Sequence, residues 1–247
     1  HKAMDSTGAV IGPLLVLPVL LLAGAVTMET YRTVFLLATI PAIISVLVII
    51  FYVKDVDGHL PRASGNLLRD SKRLGRRFWL LMAVVMVFFM GEISYAFFVL
   101  RSDGVGMSTV TTILLYVLFN IVFVLVSLPS GILSDRLGRR PVLAFAFVLF
   151  ALTCLVMSFA DGLLLLTIGF ILFGVYKGSS EGVFKAFVID VVPKDLRGTS
   201  LGVYHTAIGL VMLPGGLIAG LLWDAVGPWG TFSYGILCSL IALLMLY

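Results

Sequence analysis

The chain has 247 residues, 60% of them hydrophobic and only 12% charged, with a mean hydropathy of +1.13 and a formal net charge of +4. A soluble domain carries about 25% charged residues, so this composition excludes a water-facing surface over most of the molecule. The two cysteines and three histidines show no disulfide or metal-ligand spacing, which leaves neither a disulfide scaffold nor a metal site to expect.

Runs without any Asp, Glu, Lys or Arg cover 6–28, 33–53, 78–91, 104–134, 141–160, 162–176, 198–223 and 225–247. A helix needs about 20 residues to cross a hydrocarbon core of ~30 Å, whereas barrel strands would alternate at every second residue. The expected fold class is therefore an all-α polytopic membrane protein with eight transmembrane helices. They lie near 5–27, 32–53, 78–100, 107–132, 141–160, 163–189, 199–224 and 229–247.

In chain order, the first span carries Gly8, Gly12 and Pro13 in "GAVIGP", small residues suited to close helix packing. The second leads into the one long connection, 54–77, with seven Lys/Arg. The third holds Glu92 near its middle, and the fourth holds Tyr116 and Asn120 on one face, where they meet either a solute or a neighbouring helix. Between the fourth and fifth spans comes a charged knot, "GILSDRLGRR" at 131–140. The sixth span carries Lys177, Glu181 and Lys185 at steps of four, so they share one helix face. The connection after it, "PKDLRG", supplies Arg197, expected to pair with Asp190 or Asp195. The seventh span has Tyr204 and His205, read as packing residues, then Gly209 and Pro214 in "GLVMLP".

The cationic residues collect at 54–77, 135–140 and 194–197, while the intervening loops hold only Arg32 and Arg101. Alternation of this kind is the positive-inside pattern. It sets the basic loops in the cytoplasm and accounts for the net charge without a nucleic-acid partner.

The first and seventh spans share Gly-x4-Pro, and the spans after them align "TVFL" (33–36) with "GTFS" (230–233). A repeat six helices apart is what a duplicated transporter body shows. On that reading residues 1–53 are the last two helices of a first bundle, 54–77 a cytoplasmic linker between bundles, and 78–247 a complete six-helix second bundle. The chain opens at His1 and stops inside an apolar run, so four more helices of the same transporter are expected upstream.

The knot fits G-x-x-x-D-[RK]-x-G-[RK]-[RK] at Gly131, Asp135, Arg136, Gly138, Arg139 and Arg140. This resembles the signature of the major facilitator superfamily, in the cytoplasmic loop between the second and third helices of a half, which is where the repeat places it. Independently of the family, Gly131 would let a neighbouring helix approach. Asp135 would accept bonds from a helix N-terminus or an arginine, and Gly138 would permit a tight turn. The resemblance implies that the knot latches the cytoplasmic side, rather than only fixing topology. "GAVIGP" is also similar to the glycine-proline motif of proton-coupled antiporters in that superfamily, but the Gly-Gly pair expected after it is missing from Leu15–Leu17.

A charge at the centre of a membrane helix costs at least about 2.5–3.5 kcal/mol, so Glu92, Lys177, Glu181 and Lys185 must pair or face water. In one reading Glu181 bridges Lys177 and Lys185 within a single helix, Glu92 is protonated, and the set only orders the bundle. In the other, the adopted one, the face lines a central cavity, Lys177 meets an anionic solute group, and Glu92 or Glu181 carries a proton. The resemblance then implies a secondary active transporter of a small organic solute, working by alternating access, with proton-coupled efflux or antiport. Uptake of an anionic nutrient, or a transport-inactive scaffold or sensor, are the alternatives. No enzymatic activity, metal or cofactor is expected beyond coupling to a proton gradient. The expected partners are the solute, the lipid bilayer and the preceding helices, and the expected location is the cytoplasmic membrane of a prokaryote.

Overall fold

The computed structural model describes residues 2–23, 27–52, 71 and 73–247. Among them lie nine α-helices, a single 3-10 turn at Lys194–Leu196 and no strand: α1 (Lys2–Ala23), α2 (Met28–Tyr52), α3 (Gly75–Met90), α4 (Tyr95–Gly104), α5 (Thr109–Leu137), α6 (Arg139–Phe159), α7 (Leu163–Asp190), α8 (Arg197–Val226) and α9 (Pro228–Leu246). The charge-free runs became helices, since in lipid each backbone N–H and C=O must be satisfied within its own segment. Seven helical stretches among the described residues are long and apolar enough to cross a membrane, and α1, 22 residues long, is the eighth expected span. The connection expected at 54–77 lies largely outside the described residues, and its end differs from expectation: α3 already starts at Gly75.

The expected third span is the one that changes form. It is two helices, α3 and α4, separated by an unwound Gly91–Ser94. Ser94 sits in extended conformation and its side chain accepts from the Ala96 N–H, which starts α4. The break persists because its freed backbone is used: the Tyr234 hydroxyl donates to the Met90 carbonyl at 2.9 Å. α8 presses on the same point, where a methyl on Gly215 would overlap the Met90 carbonyl.

The helix α7 packs most extensively, against α5 and α6, while α9 lies on α6, α8 and α3, and α1 lies on α5. The α5–α7 approach depends on Gly174 and Gly178, four residues apart. A Cβ on either would sit 2.8 Å from a carbonyl oxygen of α5, that of Phe119 or Phe123. Aromatic rings fill the core: Phe88 stacks on Phe147 with centroids 4.3 Å apart, and Phe150, Tyr176 and Phe184 surround them. Large apolar side chains such as Phe35, Leu125 and Leu213 face outward, as a lipid-facing wall requires.

The basic turns occupy one end of the bundle. Arg73 bonds Asp195 at 3.1 Å and Arg139 bonds Asp190 at 3.0 Å, so the start of α3, the α5–α6 turn and the α7–α8 turn meet. At the other end Arg101 donates to the Ser158 carbonyl. Arg197, expected to pair with Asp190 or Asp195, pairs with neither, and the observed partners of those carboxylates are Arg139 and Arg73.

Candidate functional site

Glu92 lies in the break between α3 and α4, which frees its side chain from a helix surface and turns it toward α7. Its side chain is 3% exposed. Both the Tyr176 hydroxyl and the Lys177 ammonium reach Oε1, each at 2.5 Å. Oε2 is buried with no hydrogen-bond partner among the described residues. The Lys177 side chain is 30% exposed, and its Nζ lies 5.9 Å and 5.8 Å from the ring centroids of Phe173 and Tyr176. The ammonium thus has a carboxylate on one side and aromatic faces beside it.

This geometry separates the charged row. Lys177 reaches across to Glu92 in the break between α3 and α4, whereas Glu181 pairs along α7 with Lys185 at 3.1 Å, both side chains less than half exposed. A Glu181 bridging both lysines is therefore not the observed arrangement. Tyr116 stands elsewhere, with its ring 5.4 Å from that of Tyr95. Both rings, with Tyr31, Pro13 and Asp103, line a cavity of about 480 Å³ toward the end away from the basic turns. Asn120 is buried one turn on, and its amide donates to the Tyr116 carbonyl at 2.8 Å, a bond within α5.

The knot closes on Arg139. Its guanidinium meets Asp135 at 2.6 Å, Asp190 at 3.0 Å and the Ser134 hydroxyl at 2.6 Å, and Ser134 in turn donates to the Gly131 carbonyl. Asp135 takes the arginine of its own loop. Gly138 has φ 95° and ψ 161°, a region only glycine enters freely, and it turns the chain from α5 to α6. Arg136 and Arg140 are exposed. Gly131 differs from expectation: nothing among the described residues lies within 4 Å of where its Cβ would be. The same is true of Gly8, Gly12 and Gly209. Gly12 instead borders a cleft of about 360 Å³ between α1 and α2, and Pro214 is exposed on α8.

Two contributors escaped the sequence reading. Tyr176 is one tyrosine in an apolar run, without any local signal of its acceptor. The break did leave a signal, since Gly91 followed by Ser94 is a helix stop and then an N-cap.

A carboxylate and an ammonium paired inside a bundle whose outside is apolar define a class, the polytopic membrane proteins that carry polar groups in their interior. Comparison makes the class specific. The Major Facilitator Superfamily model matches residues 82–247, and the chain belongs to that superfamily, a family of transporters and not of enzymes. An uncharacterized MFS-type transporter of Methanocaldococcus jannaschii is 30% identical over the whole chain, which spans 62% of that relative. A class H tetracycline resistance protein of Pasteurella multocida is 35% identical over 38% of the chain and 23% of its own length. An arabinose-proton symporter of Bacillus subtilis is 31% identical over 33% of the chain and 18% of its own length. The chain spans 55–62% of the curated relatives that match most of it.

Proposed function

We propose that the protein is a secondary active transporter of a small organic solute, in which α1 and α2 complete a preceding helix bundle and α3–α9 form the second. The observation that carries this is the ion pair between the buried Glu92 and the partly exposed Lys177, at a broken membrane span. An ion pair taken out of water returns little stability for its desolvation, and its place within a membrane span supports a role when it opens. When the bundles rock, Lys177 leaves Glu92, and a buried carboxylate without its cation is cheaper neutral than charged. Glu92 then takes a proton and Lys177 is free for the solute, so the two movements are coupled. The name of one distant relative, a proton symporter, supports proton coupling, and that of another, a tetracycline resistance protein, supports a small organic solute. The basic rim supports insertion in a cytoplasmic membrane by the positive-inside rule. Anion uptake is a second reading, favoured by the 30% exposure of Lys177 against 3% for Glu92.

Proteoliposomes with an internal pH dye, challenged with tetracycline or arabinose, test it. Wild type should move protons with a solute, Glu92→Gln should keep solute binding and lose proton movement, and Lys177→Ala should lose binding. If both variants move solute and protons as wild type does, the pair is a structural staple and the proposal fails. Loss of binding of anions alone in Lys177→Ala, with Glu92→Gln unaffected, selects the anion reading.

A further inference from the structure

The cytoplasmic end of the bundle holds a cavity of about 780 Å³ at which α3, α6, α7 and α9 meet. Two arginines stand at its mouth, Arg77 in the first turn of α3 and Arg140 in the first turn of α6. Both are exposed, and neither pairs with a carboxylate among the described residues. The carboxylates around the knot, Asp135 within it and Asp190 at the end of α7, meet Arg139 instead of Arg140. Below the mouth the wall turns apolar. Arg77, Leu80 and Val84 are spaced three and four residues apart, so one face of α3 descends about 10 Å from guanidinium to hydrocarbon. Phe187 and Leu246 close the other sides. Leu80 is 58% exposed, so the groove opens sideways toward the bilayer.

We infer that this groove holds an anionic phospholipid, with its phosphodiester between Arg77 and Arg140 and an acyl chain along Leu80, Val84 and Leu246. The occupant has to be amphipathic, since inorganic phosphate would satisfy the two arginines and leave the apolar floor wetted. The position suits the lipid as well. Arg77 and Arg140 lie among the basic turns, at the leaflet that the positive-inside pattern makes cytoplasmic, where anionic headgroups concentrate. The lipid would bridge the first turns of α3, which leads to the break at Glu92, and of α6, which holds the knot.

Native mass spectrometry of the purified, delipidated protein with phosphatidylglycerol or phosphatidylcholine reads the site. Phosphatidylglycerol should be retained over phosphatidylcholine, and Arg77→Gln and Arg140→Gln should each cut that preference about fivefold, the attraction of one basic side chain for an anionic lipid. The Arg77→Lys/Arg140→Lys protein, which keeps the charge, should retain most of it and serves as the folding control. Leu80→Trp, on the exposed lip, should weaken long-chain phosphatidylglycerol and spare a dihexanoyl analogue. Arg32→Gln, at the opposite end of the bundle, should change nothing. Equal retention of the two lipids, an unaltered preference in both glutamine variants, or full displacement by millimolar inorganic phosphate would each overturn the assignment. Loss of the groove to a protein segment would register as the first of these.

Discussion

Glu92 concentrates the chemistry of the described chain because its two oxygens are treated unequally. Oε1 takes a hydroxyl and an ammonium, while Oε2 is buried and unpartnered. An unsatisfied buried acceptor costs about 1–3 kcal/mol, and stripping a buried charge of its partner about 3–5 kcal/mol. Glu92→Gln and Lys177→Met should therefore each lower thermal stability in detergent. The double variant should recover part of the loss, with a coupling energy of about 1–3 kcal/mol between the two sites. Strictly additive losses would mean that the 2.5 Å contact contributes nothing to the fold. The sequence revealed these two residues by depth alone, because a charge inside a run of leucines and valines is conspicuous. It did not reveal their pairing. That depends on an unwound segment turning Glu92 toward α7 and on Tyr176, whose hydroxyl reads in sequence as one more aromatic.

At the scale of the helices, small residues decide which elements touch. Gly174 and Gly178 let α7 lie against the carbonyls of Phe119 and Phe123, and this contact fixes the face that carries Lys177. Backbone, unlike a flexible side chain, cannot move aside. Gly178→Leu should cost about 1–3 kcal/mol, the range for overpacking a filled core. Thermal unfolding of the detergent-solubilised protein measures it, and Gly131→Leu, whose Cβ would have nothing within 4 Å among the described residues, is the comparison. Equal melting temperatures for the two variants would show that the helices are free to separate. Sequence reading weighted these glycines the other way. Gly131 stood out because it belongs to a recognised signature, whereas Gly174 sits in an apolar run where glycine is common and Gly178 is overshadowed by the charge of Lys177 before it. The spans were legible because lipid enforces length and hydropathy. The break at Gly91–Ser94 was less so, since the run on either side is apolar enough for one continuous helix.

Across the described residues, most charge is sorted into the Glu92–Lys177 pair in the interior, the Glu181–Lys185 pair along α7 and a basic rim, and the rim joins helices that are distant in sequence. Arg139 ties the end of α5, the start of α6 and the end of α7 through Asp135 and Asp190, while Arg73 ties the start of α3 to the α7–α8 turn. Asp135 and Asp190 are about half exposed or more, and exposed pairs contribute about 0–1 kcal/mol. Their consequence is thus expected in the position of helix ends rather than in stability. Arg139→Gln should shift the melting temperature by no more than about 4 °C. It should nevertheless raise labelling of an introduced Ser180→Cys by a membrane-impermeant maleimide in inside-out vesicles. Ser180 is buried one turn along α7 from Tyr176, so its labelling reports opening of the interior from the basic side. The native thiols, Cys154 and Cys238, are buried and provide the background. If the variant melts far lower and its labelling stays at the Ser180→Cys level, the knot holds the fold together and does not govern access. If melting is unchanged and labelling rises, a contact too weak to matter for folding controls which end of the bundle is open. That outcome follows when two arrangements of the same helices differ by only a few kcal/mol.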